Sequence, residues 1–413
     1  MSTITRASCL ALDRADELAG FRARFALPED RIYLDGNSLG AMPRVASEVA
    51  QDVVARQWGQ GLVGSWNEAG WWQLSRRLGD KLARLVGADP GEVLVTDATG
   101  INLFKAVAAA LSLRPERRVV VMEGSNFPTD NYVVQGLLET LGREYEIRFT
   151  EEEGLDAAID ADVAVVCLTQ VHYRSGRLLD MRAVTAEAHA AGALTVWDLS
   201  HSTGAVVVDL NACDADFAVG CTYKYLNGGP GSPGYLFAAR RHQARSGLPL
   251  RGWWGHEAPF DFARDFRPAA GVARFATGTQ PIVSLALAEP GIDLALEMTP
   301  AQLRRKSLSL TSLFMELVEG RCDGLGLELV TPRAPARRGS QVALRHPQAY
   351  AVMQALIDTG VVGDFRAPDI LRFGFAAPYN SHVEVWDAVD RLESLLRSED
   401  WRAARYARRN PVT

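Results

Sequence analysis

The stretch ALTVWDLSHSTGAVVVDLNACDADFAVGCTYKYLNGGPG, residues 193–231, contains two short apolar runs and the residues that follow each of them. The runs, 193–197 and 216–221, are nearly unbroken, the pattern of strands buried on both faces of a sheet. Asp198 closes the first run, and His201 follows three residues later. Lys224 stands just past the second run, between two tyrosines and ahead of Gly228, Gly229, Pro230 and Gly231. In parallel sheets ligands gather beyond the C-terminal ends of strands, so these are the positions to read for chemistry.

The same texture extends outward in both directions. Strands are predicted at 92–96, 118–122, 147–149, 162–168 and 234–238, with helices at 101–111, 131–141 and 181–191 between them. Two further helices, 43–58 and 71–86, precede the series, the second ending at Gly87. Strands alternating with helices predict an α/β fold built on a mainly parallel sheet covered on both sides. Beyond about residue 290 the pattern changes to a helix at 299–319, a strand at 341–345 and a helix at 347–359. Short strands near Val361 and Leu371 and a last helix at 382–396 complete a smaller α+β domain. The expected division is an N-terminal segment 1–45 packing on the small domain, a large domain 46–290 and a small domain 291–413. Residues 331–339 form a Pro/Arg-rich loop, and Arg402, Arg405, Arg408 and Arg409 read as a solvated helix end.

Composition bounds the function. The 413 residues are 47% apolar and 23% charged, with a formal net charge of −6. A mildly acidic chain lacks the basic field that non-specific nucleic-acid binding needs. Five scattered cysteines without a CxxC pair exclude a disulfide framework and a cysteine zinc site, and suit a reducing cytoplasm. No apolar run approaches the roughly 18 residues of a membrane span, and the first thirty residues lack a signal pattern. A cytoplasmic protein with no metal, nucleic-acid or membrane partner is expected.

Four strand ends carry candidate chemistry. Thr99 and Gly100 open a helix, where free N–H groups and the helix dipole favour a phosphate, although an ordinary cap accounts for the same letters. Phe127, Pro128, Thr129 and Asp130 follow the strand at 118–122, as a stacking ring and an acid or as a plain helix start. Asp198 with His201 is the third, and Lys224 the fourth. Each has a bland reading as turn, cap or surface residue. Together they supply a phosphate cradle, an aromatic face, an acid for a protonated ring nitrogen and an amine. Pyridoxal 5′-phosphate needs these parts. Their order along the chain is that of the fold-type-I, aspartate-aminotransferase-like enzymes that use this cofactor.

Six runs make the resemblance narrower: YLDGNSLG (33–40), NFPTD (126–130), WDLSHSTGAV (197–206), CTYKYLNGGPG (221–231), RGWWGHE (251–257) and LRFGFAAPYNS (371–381). With these the chain resembles the kynureninases over nearly its whole length. The resemblance implies a hydrolase that cleaves a carbon–carbon bond of L-kynurenine, giving anthranilate and L-alanine in tryptophan catabolism, with 3-hydroxy-L-kynurenine as a second candidate substrate. It implies that Lys224 carries the cofactor, that Asp198 pairs with its ring nitrogen, and that Tyr223 is a catalytic proton donor which also helps Thr99 and Gly100 hold the phosphate. Phe127 would stack on the ring, with Pro128, Thr129, Asp130, Thr169 and His201 around it. Arg372 would hold the substrate carboxylate, with Trp66 and His201 also touching substrate. Trp253 and Thr279 would reach the cofactor of a second subunit, so a homodimer with shared sites is implied. Thr279 and Trp66 resemble the bacterial form that prefers unsubstituted kynurenine. The alternatives are a cysteine desulfurase, an aminotransferase, or a binding protein on the same scaffold. A desulfurase needs a nucleophilic cysteine late in the chain, where only Cys322 is available.

Overall fold

The computed structural model describes residues 4–142 and 144–409. Residues 1–3 and 410–413, the outer ends of the expected N-terminal segment and small domain, lie outside the described residues, as does Arg143. Seven strands form the central sheet: β1 (Val93–Val95), β2 (Val119–Glu123), β3 (Glu146–Thr150), β4 (Val163–Thr169), β5 (Leu194–Asp198), β6 (Phe217–Cys221) and β7 (Gly234–Ala238). They lie in the order β1-β7-β6-β5-β4-β2-β3, and only β7 runs against the rest. Six of the strands are buried at every residue, and the edge strand β3 is partly exposed.

The principal helices are α1 (Arg6–Arg14), α2 (Trp71–Val86), α3 (Thr99–Ser112), α4 (Pro128–Thr140), α5 (Met181–Ala190), α6 (Ile282–Leu296), α7 (Pro300–Arg321), α8 (Ala349–Asp358) and α9 (His382–Ser398). Side chains alternate across each strand, so Val119 and Val121 meet one layer while Val120 and Met122 meet the other. The first layer is α2, α5 and α6, through Leu78, Val184 and Leu285. The second is α3 and α4, through Val107 and Leu137. Each fully buried leucine or valine contributes about 2 kcal/mol to this packing. Helix α2 stops at Gly87, whose φ of 63° suits a residue without a side chain. Helix α7 starts from a reciprocal Thr299–Gln302 cap with Pro300 in its first turn.

Three sequence expectations need correction. Pro43 belongs to a two-residue strand, Met42–Pro43, paired with Phe25–Ala26. The helix begins only at Ala46 and widens into π-helical turns over Asp52–Trp58. There Gln57 Nε2 donates to Asp52 Oδ2 at 2.8 Å, a five-residue spacing that the wider turn brings together. Helix α6 is absent from the predicted elements; it runs through Pro290-Gly291, a pair that disfavours a helix interior. The boundary expected at 290 therefore falls inside α6, whose Leu285, Ile292 and Ala295 pack into the core of the large sheet.

The second sheet comprises β8 (Glu328–Leu329), β9 (Gln341–Arg345), β10 (Asp364–Arg366) and β11 (Ile370–Gly374), antiparallel in the order β8-β9-β11-β10. Helices α7, α8 and α9 cover it. Cys9, Ile32 and Leu34 of the N-terminal segment join this core, and Ile32–Tyr33 pairs in parallel with Val361–Val362. Phe25 and Ala41 of the same segment pack instead with Ala205, Tyr225 and Leu294. Among the described residues, no helix is long and apolar enough to cross a membrane.

Candidate active site

Asp198 is the last residue of β5, and its Oδ1 accepts a hydrogen bond from the Ser200 N–H at 2.8 Å. Lys224 sits in the loop after β6, and backbone bonds define that loop. Gly228 N–H donates to Thr222 O at 2.8 Å, Asn227 N–H to Lys224 O at 2.9 Å, and Gly40 N–H to Tyr223 O at 2.8 Å. Two glycines from distant segments press on it. A Cβ on Gly40 would stand 2.2 Å from Lys224 O, and one on Gly291 would stand 2.0 Å from Leu226 O. The loop is held from both sides, which fixes where the lysine points.

The Lys224 amine lies 2.8 Å from His201 Nε2 and 5.9 Å from the centre of the Tyr223 ring. Burial pushes the Lys224 amine below its ordinary range, with Arg372 and Arg366 adding to the effect against the pull of Cys221 and Asp198. Burial, together with Lys224, Arg372 and Arg366, pushes His201 well below its usual value, so its ring is neutral. Asp130 is driven well above the ordinary carboxylate range, first by burial and then by the neighbouring charge of Asp198. The Tyr223 hydroxyl is raised by Cys221, burial and Asp198, so it keeps its proton.

These groups face a cavity of about 560 Å³. One end is the start of α3, where Ala98 is extended and offers no side-chain cap, and Thr99 and Gly100 line the wall. Uncapped N–H groups on a long helix form an anion site. Asp97 beside them has a φ of 45°, and its carboxylate is paired with the buried amine of Lys105. At the start of α4, Phe127, Thr129 and Asp130 line the cavity, and Asn126 Nδ2 donates to Asp130 Oδ2 at 2.9 Å. The Phe127 ring meets Tyr173 edge-on at 5.3 Å. Thr169, at the end of β4, completes this wall.

The opposite wall comes from the small sheet. Arg372 on β11 is 1% exposed, and its Nε donates to Asp364 Oδ1 at 2.8 Å. Its Nη2 donates to Asp364 Oδ2 and to Ser38 Oγ, the latter at 2.9 Å, and its Nη1 donates to the carbonyl of Tyr173. Asp364 also accepts from Arg366 at 2.7 Å, and Arg366 lines the cavity beside Arg372. Burial and the Asp364 charge push Asp35 up to about 8, with Arg372 pulling the other way.

The structure thus gathers Thr99, Gly100, Phe127, Thr129, Asp130, Thr169, Asp198, His201, Tyr223, Lys224 and Arg372 around one space. Pro128 opens α4 but does not line that space. Trp66, Trp253 and Thr279 also stand outside the wall of their own chain's cavity. Trp66 packs on Trp71 and Trp254 at 5.4 Å each, Trp253 is partly exposed beside Phe260, and Thr279 is exposed. Sequence reasoning missed Asn37, Ser38, Tyr173, Gln341, Asp364 and Arg366. Asn37 and Ser38 lay inside the quoted run 33–40. Asp364 is the register partner of Arg372 across β10 and β11, a signal that needed β10 to be recognised.

A ring bearing a phosphate and a protonated nitrogen fits this arrangement. The uncapped end of α3 can take the anion, and Asp198 at the end of β5 offers a carboxylate to a protonated ring nitrogen. Fold and site together define a pyridoxal-phosphate enzyme of fold type I. Solved structures agree on the fold. The cysteine desulfurase of Thermococcus onnurineus NA1 aligns with a TM-score of 0.78 at 20% identity, covering 92% of this chain and 98% of that one. The cysteine desulfurase CsdA of Escherichia coli aligns with a TM-score of 0.76 at 19% identity, covering 92% and 99%. Residues 303–392 match the kynureninase C-terminal domain family. The kynureninase of Burkholderia pseudomallei (strain 1106a) is 55% identical over 99% of this chain and 100% of that protein. The kynureninase of Pseudomonas fluorescens is 53% identical over the same shares. The chain belongs to the kynureninase family.

Proposed function

We propose that this chain hydrolyses L-kynurenine to anthranilate and L-alanine, with 3-hydroxy-L-kynurenine as the competing substrate and pyridoxal 5′-phosphate as cofactor. The observation that carries the reading is that Lys224, the Asp198–Asp130 pair and Arg372 converge on one cavity at the junction of the two sheets. When bound, the cofactor draws electron density from the substrate's α-carbon. Thr99 and Gly100 hold its phosphate at the start of α3, and Asp198 keeps the proton on its ring nitrogen. Lys224 would hold the cofactor and, as the amine nearest the site, would take the proton from the substrate's α-carbon. Burial disfavours the charged form of this lysine, which favours the neutral amine that the step needs. Arg372 binds the substrate carboxylate, its plane already fixed by Asp364. Tyr223 keeps its proton and can deliver it to the carbon released by cleavage.

The desulfurase alternative loses support from Cys322. That thiol is buried in the core of the small sheet, and burial pushes it up to about 11, away from a nucleophilic thiolate. We also read the active unit as a homodimer in which Trp253 and Thr279 serve the neighbouring site. Their distance from their own cavity and the exposed Phe260 and Phe262 beside Trp253 support that reading. Five free cysteines among the described residues accord with a reducing cytoplasm. The direct test supplies kynurenine and 3-hydroxykynurenine separately and follows anthranilate fluorescence and alanine. Release of both products, faster from kynurenine, is expected. Pyruvate-dependent amine exchange or sulfur release from cysteine, without anthranilate, would overturn the assignment.

A further inference from the structure

We propose that Gln341, on strand β9 of the small sheet, is a positioning residue that fixes the tautomer of His201 and so the direction of the His201–Lys224 hydrogen bond. Gln341 is fully buried, and its three hydrogen-bonding contacts leave one orientation for its amide. Its Nε2 donates to Tyr173 O at 2.8 Å and to His172 O at 3.1 Å. Carbonyl oxygens only accept, so both amide hydrogens are committed there. The remaining atom, Oε1, faces His201 Nδ1 at 3.1 Å. An amide oxygen only accepts, so Nδ1 must carry the ring proton.

The other ring nitrogen follows from charge. Burial and the three cations around it, Lys224, Arg372 and Arg366, keep the ring neutral, and a neutral imidazole has one N–H. With that hydrogen on Nδ1, Nε2 presents a lone pair, and the Lys224 amine at 2.8 Å must be the donor. In either protonation state the amine donates one hydrogen to His201, which fixes its direction, and once neutral it keeps its own lone pair for a partner in the cavity. The reversed tautomer would aim an N–H at the amine and occupy that lone pair.

The arrangement also joins two parts of the site that lie on different sheets. The Tyr173 carbonyl that accepts from Gln341 also accepts from Arg372. The arginine assigned to the substrate carboxylate and the histidine that orients the lysine are therefore anchored on one peptide group. The catalytic importance of Gln341 rests on reading Lys224 as the reacting amine, whereas the tautomer does not.

The test uses full-length protein labelled with 15N-histidine, with and without pyridoxal phosphate, and the His201 signals are assigned from a His201→Asn variant. Wild type is expected to show a protonated Nδ1 and an unprotonated Nε2 at neutral pH. Gln341→Met, which removes the acceptor, is expected to populate the reversed tautomer and to lower kcat about 10- to 100-fold with KM little changed. Gln341→Glu, which keeps an acceptor at Nδ1, is expected to retain the Nδ1–H. A wild-type spectrum with the proton on Nε2 overturns the proposal, as does an unchanged tautomer in Gln341→Met. Should Gln341→Met fail to fold, wild type and Gln341→Glu decide it. The expected tautomer in a protein that turns over no kynurenine would refute the enzymatic reading and leave the Gln341 assignment standing.

Discussion

Arg372, proposed to bind the substrate carboxylate, is also part of the framework that holds the small sheet together. It is buried, its fork is filled on one side by Asp364, and its Nη1 holds the Tyr173 carbonyl. Arg372→Ala should therefore raise the KM for kynurenine about 100-fold while cofactor affinity changes within a few-fold. The same change leaves Asp364 buried without its main partner, at a cost of about 3–5 kcal/mol in stability. Steady-state kinetics, cofactor titration and thermal melting separate these effects, and an unchanged KM would place the carboxylate elsewhere. Lys224→Ala should abolish the visible absorbance of the lysine-bound cofactor, and a variant that kept a borohydride-stable adduct would remove Lys224 from its role. The convergence of Lys224, Asp198 and Arg372 on one cavity was legible in sequence because each stands in a distinctive motif. Asp364 and Gln341 were not, because an Asp or Gln on a short strand has no distinctive spacing. Their meaning comes from which strand lies opposite.

At the scale of elements, strands and helices of the large sheet were readable from unbroken apolar runs, and α2 ended at Gly87 as predicted. Helix α6 was not among them, and local rules disfavour a helix through Pro290-Gly291. Tertiary contact overrides them, since Gly291 lets α6 lie against the lysine loop. Gly291→Ala should displace that loop and lower kcat about 100-fold in a protein that still folds, a split that activity and circular dichroism together reveal. Asp216, fully buried ahead of β6, ties three elements together. It accepts from His189 and His242, at 2.8 and 2.7 Å, and from the Thr195 N–H at 2.8 Å. Burial works to raise its pKa, but these hydrogen bonds win and hold it far below the usual carboxylate range. A depressed folded-state pKa stabilises the protein above about pH 4, and that contribution is lost as pH falls further. His189, raised chiefly by its bond to Asp216, contributes at acidic and neutral pH and loses its effect as pH rises through its folded value. The melting temperature should therefore fall between about pH 5 and pH 3, and Asp216→Asn should flatten that slope while costing about 3 kcal/mol near pH 6. Calorimetry across pH checks both.

For the whole molecule, the two-sheet plan was expected from the change of texture past residue 290, a residue that lies inside α6. Oligomeric state is tested by mixing two variants. If sites are shared in a homodimer, inactive Lys224→Ala and inactive Trp253→Ala chains should regain about a quarter of wild-type activity when reassembled together. Separate sites would give no recovery.

Ser38 Oγ reaches Asp364 at 2.6 Å and Arg372 at 2.9 Å, across more than three hundred residues of chain. Ile32–Tyr33 likewise finds its strand partner only at Val361–Val362. During synthesis Ile32–Tyr33 must wait for its strand partner until almost the last helix has been made. The lysine, the acids, the phosphate cradle and the helix α6 that braces the lysine loop are all encoded by Leu296. The grip on the substrate carboxylate is not. A chain cut between Leu296 and Val361 would thus carry the groups proposed to hold the cofactor without the arginine proposed to hold the substrate.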